Sequence, residues 1–130
     1  MSRGSGGHHK SCDVADARAR LHDAEAFLAT ADVVDDPDVK VTNAVHAGIA
    51  AADAICCTVL GQRSADGSHS AAVALLSSVD ARLGNALNRA LSRKNQAAYE
   101  SRDVSTTDAA ACVRQARTLT EAARARVQAI

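Results

Sequence analysis

The chain has 130 residues, a length that suits one domain and can bury a core of its own. Aromatic residues make up 2% of it, there is a single proline and alanine is abundant, which favours helices and disfavours a sheet because β-branched and aromatic side chains are scarce. Fifteen basic residues face fifteen acidic ones, for a formal charge of zero, so there is no chain-wide electrostatic footprint for DNA or RNA.

Residues 1–11 read as a flexible tail, and 12–130 as a single helical domain. The string from Gly4 to Ser11 superficially resembles a phosphate-binding glycine-rich loop. It fails because His9 stands where glycine is required and no strand precedes it. His8, His9 and Cys12 are candidates for adventitious metal capture only. The start of the chain, MSRGSGGHHKSC, has no apolar region of the secretory kind, and no apolar run looks long enough to span a bilayer, so cytoplasm is the expected location, with no membrane partner.

Helix one is expected from Cys12 or Asp13 to Ala31. Val14, Ala17, Leu21, Ala24, Leu28 and Ala31 keep a heptad-like repeat and form one stripe, while Arg18, Arg20, Asp23 and Glu25 point elsewhere. The Asp35-Asp36-Pro37-Asp38 turn ends it. Helix two is expected over Val39 to Leu60 with Gly61 as its C-cap. Its broad face of Val41, Val45, Gly48, Ile49, Ala52, Ile55, Cys56, Val59 and Leu60 suggests the central helix of a bundle. Asn43, His46, Ala50, Asp53 and Cys57 form a thin polar stripe on its other side. His46 and Asp53 would stand about 10 Å apart along the axis, too far for a catalytic dyad. A solvated face is the plainer reading of this stripe; a subunit interface or a nucleotide groove is the functional one.

Residues 61–69 are expected to form a loop, and a short helix three follows from Ser70 to Val79 with Ser68 or Ser70 as its cap. His69 sits at the helix start, a position suited to an anion and equally to plain capping. Helix four is expected over Asp80 to Ser101, burying Leu83, Leu87, Ala90, Leu91 and Ala98 and exposing Asn85, Arg89, Ser92, Gln96 and Tyr99. Its end is the most basic stretch of the chain. Arg82 and Arg89 lie upstream of Arg93 and Lys94, Arg102 lies downstream, and the only tyrosine, Tyr99, sits among them. Clustered cations beside a lone phenol suit phosphate or nucleotide chemistry; the plainer reading is a tyrosine with its hydroxyl in water. Helix five starts at Ser105, with Asp108 three residues on as in a capping box. It buries Ala109, Cys112, Ala116, Leu119, Ala123 and Val127, and its Arg114, Arg117 and Arg124 edge reads as a solvated face.

These segments and their short connections imply an all-α fold, an antiparallel up-and-down helical bundle of four to five helices. Alanine seams supply little apolar area per residue, so burial of one more face in a symmetric homodimer is expected. The acidic first third and the cations from Arg82 onward offer a way to steer an anion or pair subunits. Cys12, Cys56, Cys57 and Cys112 show no Cys-x-x-Cys pair and no secreted framework, so reduced thiols are expected. Cys56 and Cys112 read as small core residues, and adjacent Cys56 and Cys57 diverge on a helix and do not suit a mutual disulfide. No Glu-x-x-His pair is present, which weighs against a metal enzyme in a four-helix bundle, and no cofactor is implied.

Two blocks carry a resemblance to a known family. One is Asn43-Ala-Val-His-Ala-Gly-Ile-Ala-Ala-Ala-Asp-Ala-Ile-Cys-Cys57. The other is Leu91-Ser-Arg-Lys-Asn-Gln-Ala-Ala-Tyr99, followed by the Ser105-initiated last helix. With helix one, they make residues 13–127 resemble the HEPN family of small helical, nucleotide- and RNA-associated proteins. Active members use an arginine with a histidine shortly after it, often followed by a tyrosine, for metal-independent RNA cleavage at a dimer interface. An imidazole and a guanidinium suit that chemistry, because a hydroxyl must lose a proton while a phosphate gains charge. Here Arg93 or Lys94 occupies the cationic position but Tyr99 stands where histidine would, and a phenol is a poor base at neutral pH.

The resemblance therefore implies a groove in which Arg93, Lys94, Asn95 and Tyr99 meet a nucleotide or RNA phosphate, with Asp53 and His69 on its rim and a degenerate ribonuclease motif. It also implies a toxin-type role beside a nucleotidyltransferase partner, with Tyr99 as the tyrosine that such a partner would modify. The alternative is a non-catalytic, dimeric helical interaction module.

Overall fold

The computed structural model describes residues 9–65, 68–99 and 104–130, and of residues 95–99 the backbone only. Strand β1 (His9–Ser11) leads into helix α1 (Val14–Val33), followed by α2 (Pro37–Leu60), β2 (Gln62–Ser64), α3 (His69–Val79), α4 (Ala81–Tyr99) and α5 (Thr106–Gln128). The protein is an all-α helical bundle with one two-stranded antiparallel ribbon, β1 against β2, in the register His9 to Ser64, Lys10 to Arg63 and Ser11 to Gln62. The ribbon corrects the expected extent of the flexible tail: residues 9–11 are paired with the stretch expected to be loop.

Local chemistry sets the helix ends. Asp13 and Asp16 close a reciprocal capping box on α1, with hydrogen bonds of 2.9 and 3.0 Å. Asp36 caps α2 by accepting from the Asp38 and Val39 amides at 2.9 and 3.1 Å, and Pro37 opens the helix where its missing N–H costs nothing. Gly61 ends α2 at φ +69°, and its N–H donates to the Cys57 carbonyl at 3.1 Å. Ser68 caps α3. On α5 the Ser105 hydroxyl accepts from the Asp108 amide at 3.0 Å.

Helix α2 is central and packs on α1, α3, α4 and α5. It descends against α1, as the contacts Cys12 to Cys57, Arg20 to Asp53 and Phe27 to His46 show. Gly48 lets α2 approach α4 and α5 closely: a Cβ there would meet Leu119 Cδ1 at 3.3 Å and Leu87 Cδ1 at 3.5 Å. The core comprises Ala17, Ala24, Leu28 and Ala31 of α1, Val41, Val45 and Ile55 of α2, Leu76 of α3, Leu83, Leu87 and Leu91 of α4, and Ala109, Cys112, Ala116, Leu119, Ala123 and Val127 of α5. The expected inward face of α5 is thus buried in full. Val59 and Leu60, assigned to the apolar face of α2, are instead exposed at 50% and 42% at its last turn.

By length and hydropathy α2 matches a membrane span: its most apolar 18-residue window has a mean hydropathy of 1.4. This corrects the expectation that no apolar run is long enough. Two-thirds of the window (67%) is buried inside the protein, so the apolar surface of α2 is taken up by its helix neighbours.

The thiol expectation is overturned at one pair. Cys12 and Cys57 form a disulfide, with Cα atoms 5.4 Å apart and a sequence separation of 45. Spacing rules look for short motifs, whereas this bond joins the start of α1 to the last turn of α2. Cys56 and Cys112 are free and buried, as expected. Burial pushes the Cys56 thiol up to about 12, with the Asp53 carboxylate acting in the same direction, and burial pushes Cys112 up to about 11 against an opposing pull from Arg93.

The fold also cross-pairs the acidic and basic thirds of the chain. Arg117 reaches Asp32 at 2.6 Å and Arg124 reaches Glu25 at 2.8 Å, so the α5 edge read as solvated is tied to α1.

Candidate functional site: a cleft between α1, α2, β2 and α3

Asp53 is the one carboxyl on the buried, largely alanine-lined part of α2, and it is only 6% exposed. A charge in that position demands a partner, and two arginines supply it. Arg20, from the neighbouring face of α1, approaches Asp53 Oδ2 with Nε at 3.1 Å and Nη2 at 3.0 Å, while its Nη1 holds Asp23 at 2.9 Å. Arg63, from β2, places Nη1 3.8 Å from the same oxygen. Burial pushes the Asp53 carboxyl up from its ordinary value, and Arg20 and Arg63 oppose that rise without cancelling it.

Above this cluster lies a cavity of about 290 Å³ lined by Arg20, Ile49, Asp53, Arg63, Ser64 and His69, among others. Two guanidiniums, an imidazole and a buried carboxyl thus open on one space. The Ser64 hydroxyl is shut off from solvent and has no hydrogen-bond partner among the described residues. Such a site has donors for a phosphate or carboxylate and a carboxyl that fixes the arginine heads in place.

His46 lies seven residues before Asp53, two turns back along α2. Its ring stacks on Phe27 with centroids 5.2 Å apart and planes 29° from parallel. Burial lowers its titration below the ordinary 6.5, and Lys94, Arg20 and His69 push it further in the same direction. Cationic or ionisable groups from three other helices thus act on His46 of α2: Arg20 of α1, His69 of α3 and Lys94 of α4. The polar stripe expected on α2 is not a solvated face over its length. Ala50, Asp53 and Cys57 are buried, and Asn43 turns back to donate to the Val39 carbonyl at 3.0 Å.

The residues expected to share one groove are divided. Asp53 and His69 line the cleft, and Lys94 does not, acting instead on His46, two turns from Asp53. Arg93, the neighbour of Lys94 on α4, turns toward α5 and donates from Nη1 to Gln115 Oε1 of α5 at 3.3 Å and to the Arg89 carbonyl of its own helix at 3.3 Å. Successive helical positions diverge by roughly 100°, so neighbours in sequence serve different faces. The side chains of Asn95 and Tyr99 lie outside the described residues; α4 itself runs through Tyr99. Beyond Arg93, a groove of about 600 Å³ separates α4 from α5, with Arg82, Arg89, Gln115 and Arg126 in its wall. Asp80 occupies Arg126 at 3.7 Å and caps the start of α4 through the Arg82 amide at 2.9 Å.

Arg20 and Arg63 escaped the reading of the sequence. The signal was available in Asp53: one carboxylate in the middle of a long alanine-rich helix calls for a cation from a neighbouring element. Which arginine answers depends on the α1–α2 register and on the ribbon, neither of which periodicity reveals. Among the described residues no cluster of His, Cys, Asp and Glu is arranged to hold a metal ion, and Cys12 is committed to its disulfide.

Compared with known proteins, the chain matches no protein-family model and is similar to no curated protein.

Proposed function

We propose that this is a HEPN-like, nucleotide- or RNA-associated protein, a toxin-type component acting with a nucleotidyltransferase partner and carrying a degenerate ribonuclease motif. The observation that carries the reading is the convergence of Arg20, Arg63 and His69 on one cleft, two turns along α2 from His46, on which Lys94 acts electrostatically. Guanidiniums held by a buried carboxyl are pre-oriented donors for a phosphodiester or a nucleotide phosphate. A homodimer and a cytoplasmic location belong to the same proposal, and so does modification of Tyr99 by the partner. In a reducing cytoplasm the Cys12–Cys57 bond would be a reversible one.

The test is binding and cleavage of short RNA and of nucleotides by the purified chain, together with its Arg63→Ala and Lys94→Ala variants. Expected is salt-sensitive binding that drops by about tenfold in each variant, the scale of one charge-assisted contact. Intact mass after co-expression with a nucleotidyltransferase encoded beside it should show addition of a nucleotide to Tyr99, lost in Tyr99→Phe. No binding, no cleavage and no complex with that partner would overturn the reading.

The second reading is a non-catalytic dimeric interaction module. It is favoured by the absence of histidine at position 99 and by the involvement of Asp53 in internal ion pairs. It gains if a stable dimer forms while RNA and nucleotides leave the protein unaffected.

A further inference from the structure

We infer that Cys12–Cys57 is a reversible thiol–disulfide exchange site, reduced by a dithiol of the small-molecule or thioredoxin-like class, and that its state sets how firmly Arg63 is held in the cleft. The proposal rests on the cleft reading above only in naming what is gated; the exchange chemistry stands on its own geometry.

Three attachments meet within a few residues. The disulfide fixes Cys12 to the last turn of α2, one turn beyond Asp53. Next to it, the Cys12 amide donates to the Gly61 carbonyl at 3.0 Å. Immediately before it, His9–Ser11 pairs with Gln62–Ser64. Among the described residues β2 has no other strand partner, and it carries both Arg63 and Ser64 into the cleft wall. A three-residue ribbon is marginal in water by itself. β2 also packs on α2 and α3, so the covalent bond acts by keeping β1 at high effective concentration beside β2, and the strand pairing in turn holds Arg63 more firmly against Asp53.

The two sulfurs differ in access. Cys57 is 4% exposed, whereas Cys12 is only partly buried, so Cys12 Sγ is the atom within reach of an incoming thiolate. The thiolate of the dithiol bonds to Cys12 Sγ, the Cys12–Cys57 bond breaks, and its electron pair goes to Cys57 Sγ, which takes up a proton. The second thiol of the reductant then loses its proton, attacks its own sulfur in the mixed disulfide and releases Cys12 as a thiol. The dithiol leaves as a disulfide, two electrons poorer. Cys56 and Cys112 do not compete: both are buried, with thiols pushed up to about 12 and about 11, so neither supplies a thiolate near neutral pH.

Hydrogen exchange followed by mass spectrometry on the full chain, oxidised and after dithiothreitol, tests the inference. Expected on reduction is exchange at 9–12 and 62–64 faster by about tenfold or more, with the core of α2 and α5 still protected. Carbethoxylation of His69 by diethyl pyrocarbonate should also quicken. Cys12→Ser should reproduce both effects without reductant, and reoxidation of the wild-type chain should reverse them. The inference is overturned if the bond resists dithiothreitol in the folded protein, if the bond opens only with loss of protection everywhere, or if 62–64 and His69 respond identically in both states. None of these readouts uses RNA or a nucleotide, so failure of the functional reading and failure of the switch are separately visible.

Discussion

The cleft around Asp53 and the groove between α4 and α5 are built in opposite ways. The cleft is assembled by long-range attachments: a disulfide, a strand pair and a buried carboxyl reached by arginines from two elements. The groove is a surface of regular helices, in which Arg82 and Arg89 stand seven residues apart on α4 and side chains of α5 form the far wall. A helix face is maintained by its backbone period wherever the helix goes, whereas a cleft wall made of ribbon is only as firm as what pins the ribbon. The cleft is therefore the region that one bond can change, and the groove the one that only a shift of a whole helix can change.

The largest expected effect comes from removing the disulfide. Closing a loop of this size removes about 4 kcal/mol of unfolded-chain entropy, so denaturant unfolding with and without dithiothreitol should differ by up to that amount. The reduced chain should remain folded at room temperature, because the helical core does not depend on the bond. Cys12→Ala in the absence of reductant should give the same loss. A difference below about 1 kcal/mol would mean that the ribbon hardly constrains the chain and that the two regions are equally self-supporting.

The groove is better attacked through the α3–α4 hairpin that positions α4. A Cβ at Gly84 would lie 2.8 Å from Ser77 Cβ and 2.9 Å from Ser77 Cα, a clash with main chain that no rotamer relieves. Gly84→Ala should cost about 2–3 kcal/mol in denaturant unfolding. Gly48→Ala is the matched control, since its new Cβ meets only the ends of Leu119 and Leu87 at 3.3 and 3.5 Å; about 1 kcal/mol or less is expected there. Equal losses at the two positions would show that helix–helix approach, rather than this one crossing, limits stability.

Asp53→Asn probes the cleft more gently. Burial outweighs the two guanidiniums and leaves the Asp53 carboxyl raised above 3.8. Arg20 retains Asp23, and both arginine side chains are 28% exposed, so their charges keep water when Asp53 is neutralised. The substitution should therefore cost about 1 kcal/mol or less at neutral pH. A raised carboxyl binds its proton more tightly in the folded state. Its stabilising contribution is fully present below pH 3.8 and is lost as pH rises through the folded value. Relative to Asp53→Asn, the wild-type protein should gain stability on acidification across that window; a loss instead would show that the ion pairs outweigh burial.

What the sequence reveals and what it hides divides along the same line. The inward face of α5 and the Ala17, Ala24, Leu28 and Ala31 part of the α1 stripe are properties of single helices, and periodicity found them; Val14, at the open start of α1, is 37% exposed and Leu21 only partly buried. Asp36, Pro37 and Gly61 mark the bounds of α2 through local backbone chemistry. The Cys12–Cys57 bond, the pairing of His9–Ser11 with Gln62–Ser64 and the approach of Arg20 to Asp53 join positions far apart in sequence, and no local period encodes them. Arg93 and Lys94 show the intermediate case. Their helix was legible, but their division between α5 and His46 depends on where the neighbouring helices lie.

The smallest expected effect lies on the seam that joins the acidic and basic thirds of the chain. Arg117–Asp32 and Arg124–Glu25 are short, at 2.6 and 2.8 Å, yet all four side chains are 40–44% exposed. Water and salt screen such pairs, and holding long side chains in place offsets part of the attraction. Arg117→Ala and Arg124→Ala should each cost about 0.2–1 kcal/mol at low salt. Because the pairs share no atoms, the losses should add in the double variant. In high salt they should shrink toward zero, while the penalty of Cys12→Ala stays unchanged, because chain entropy is not screened. If the seam kept its full effect in high salt, its arginines would be acting through their aliphatic stems packed on α1, and Arg→Met at both positions would then restore the loss.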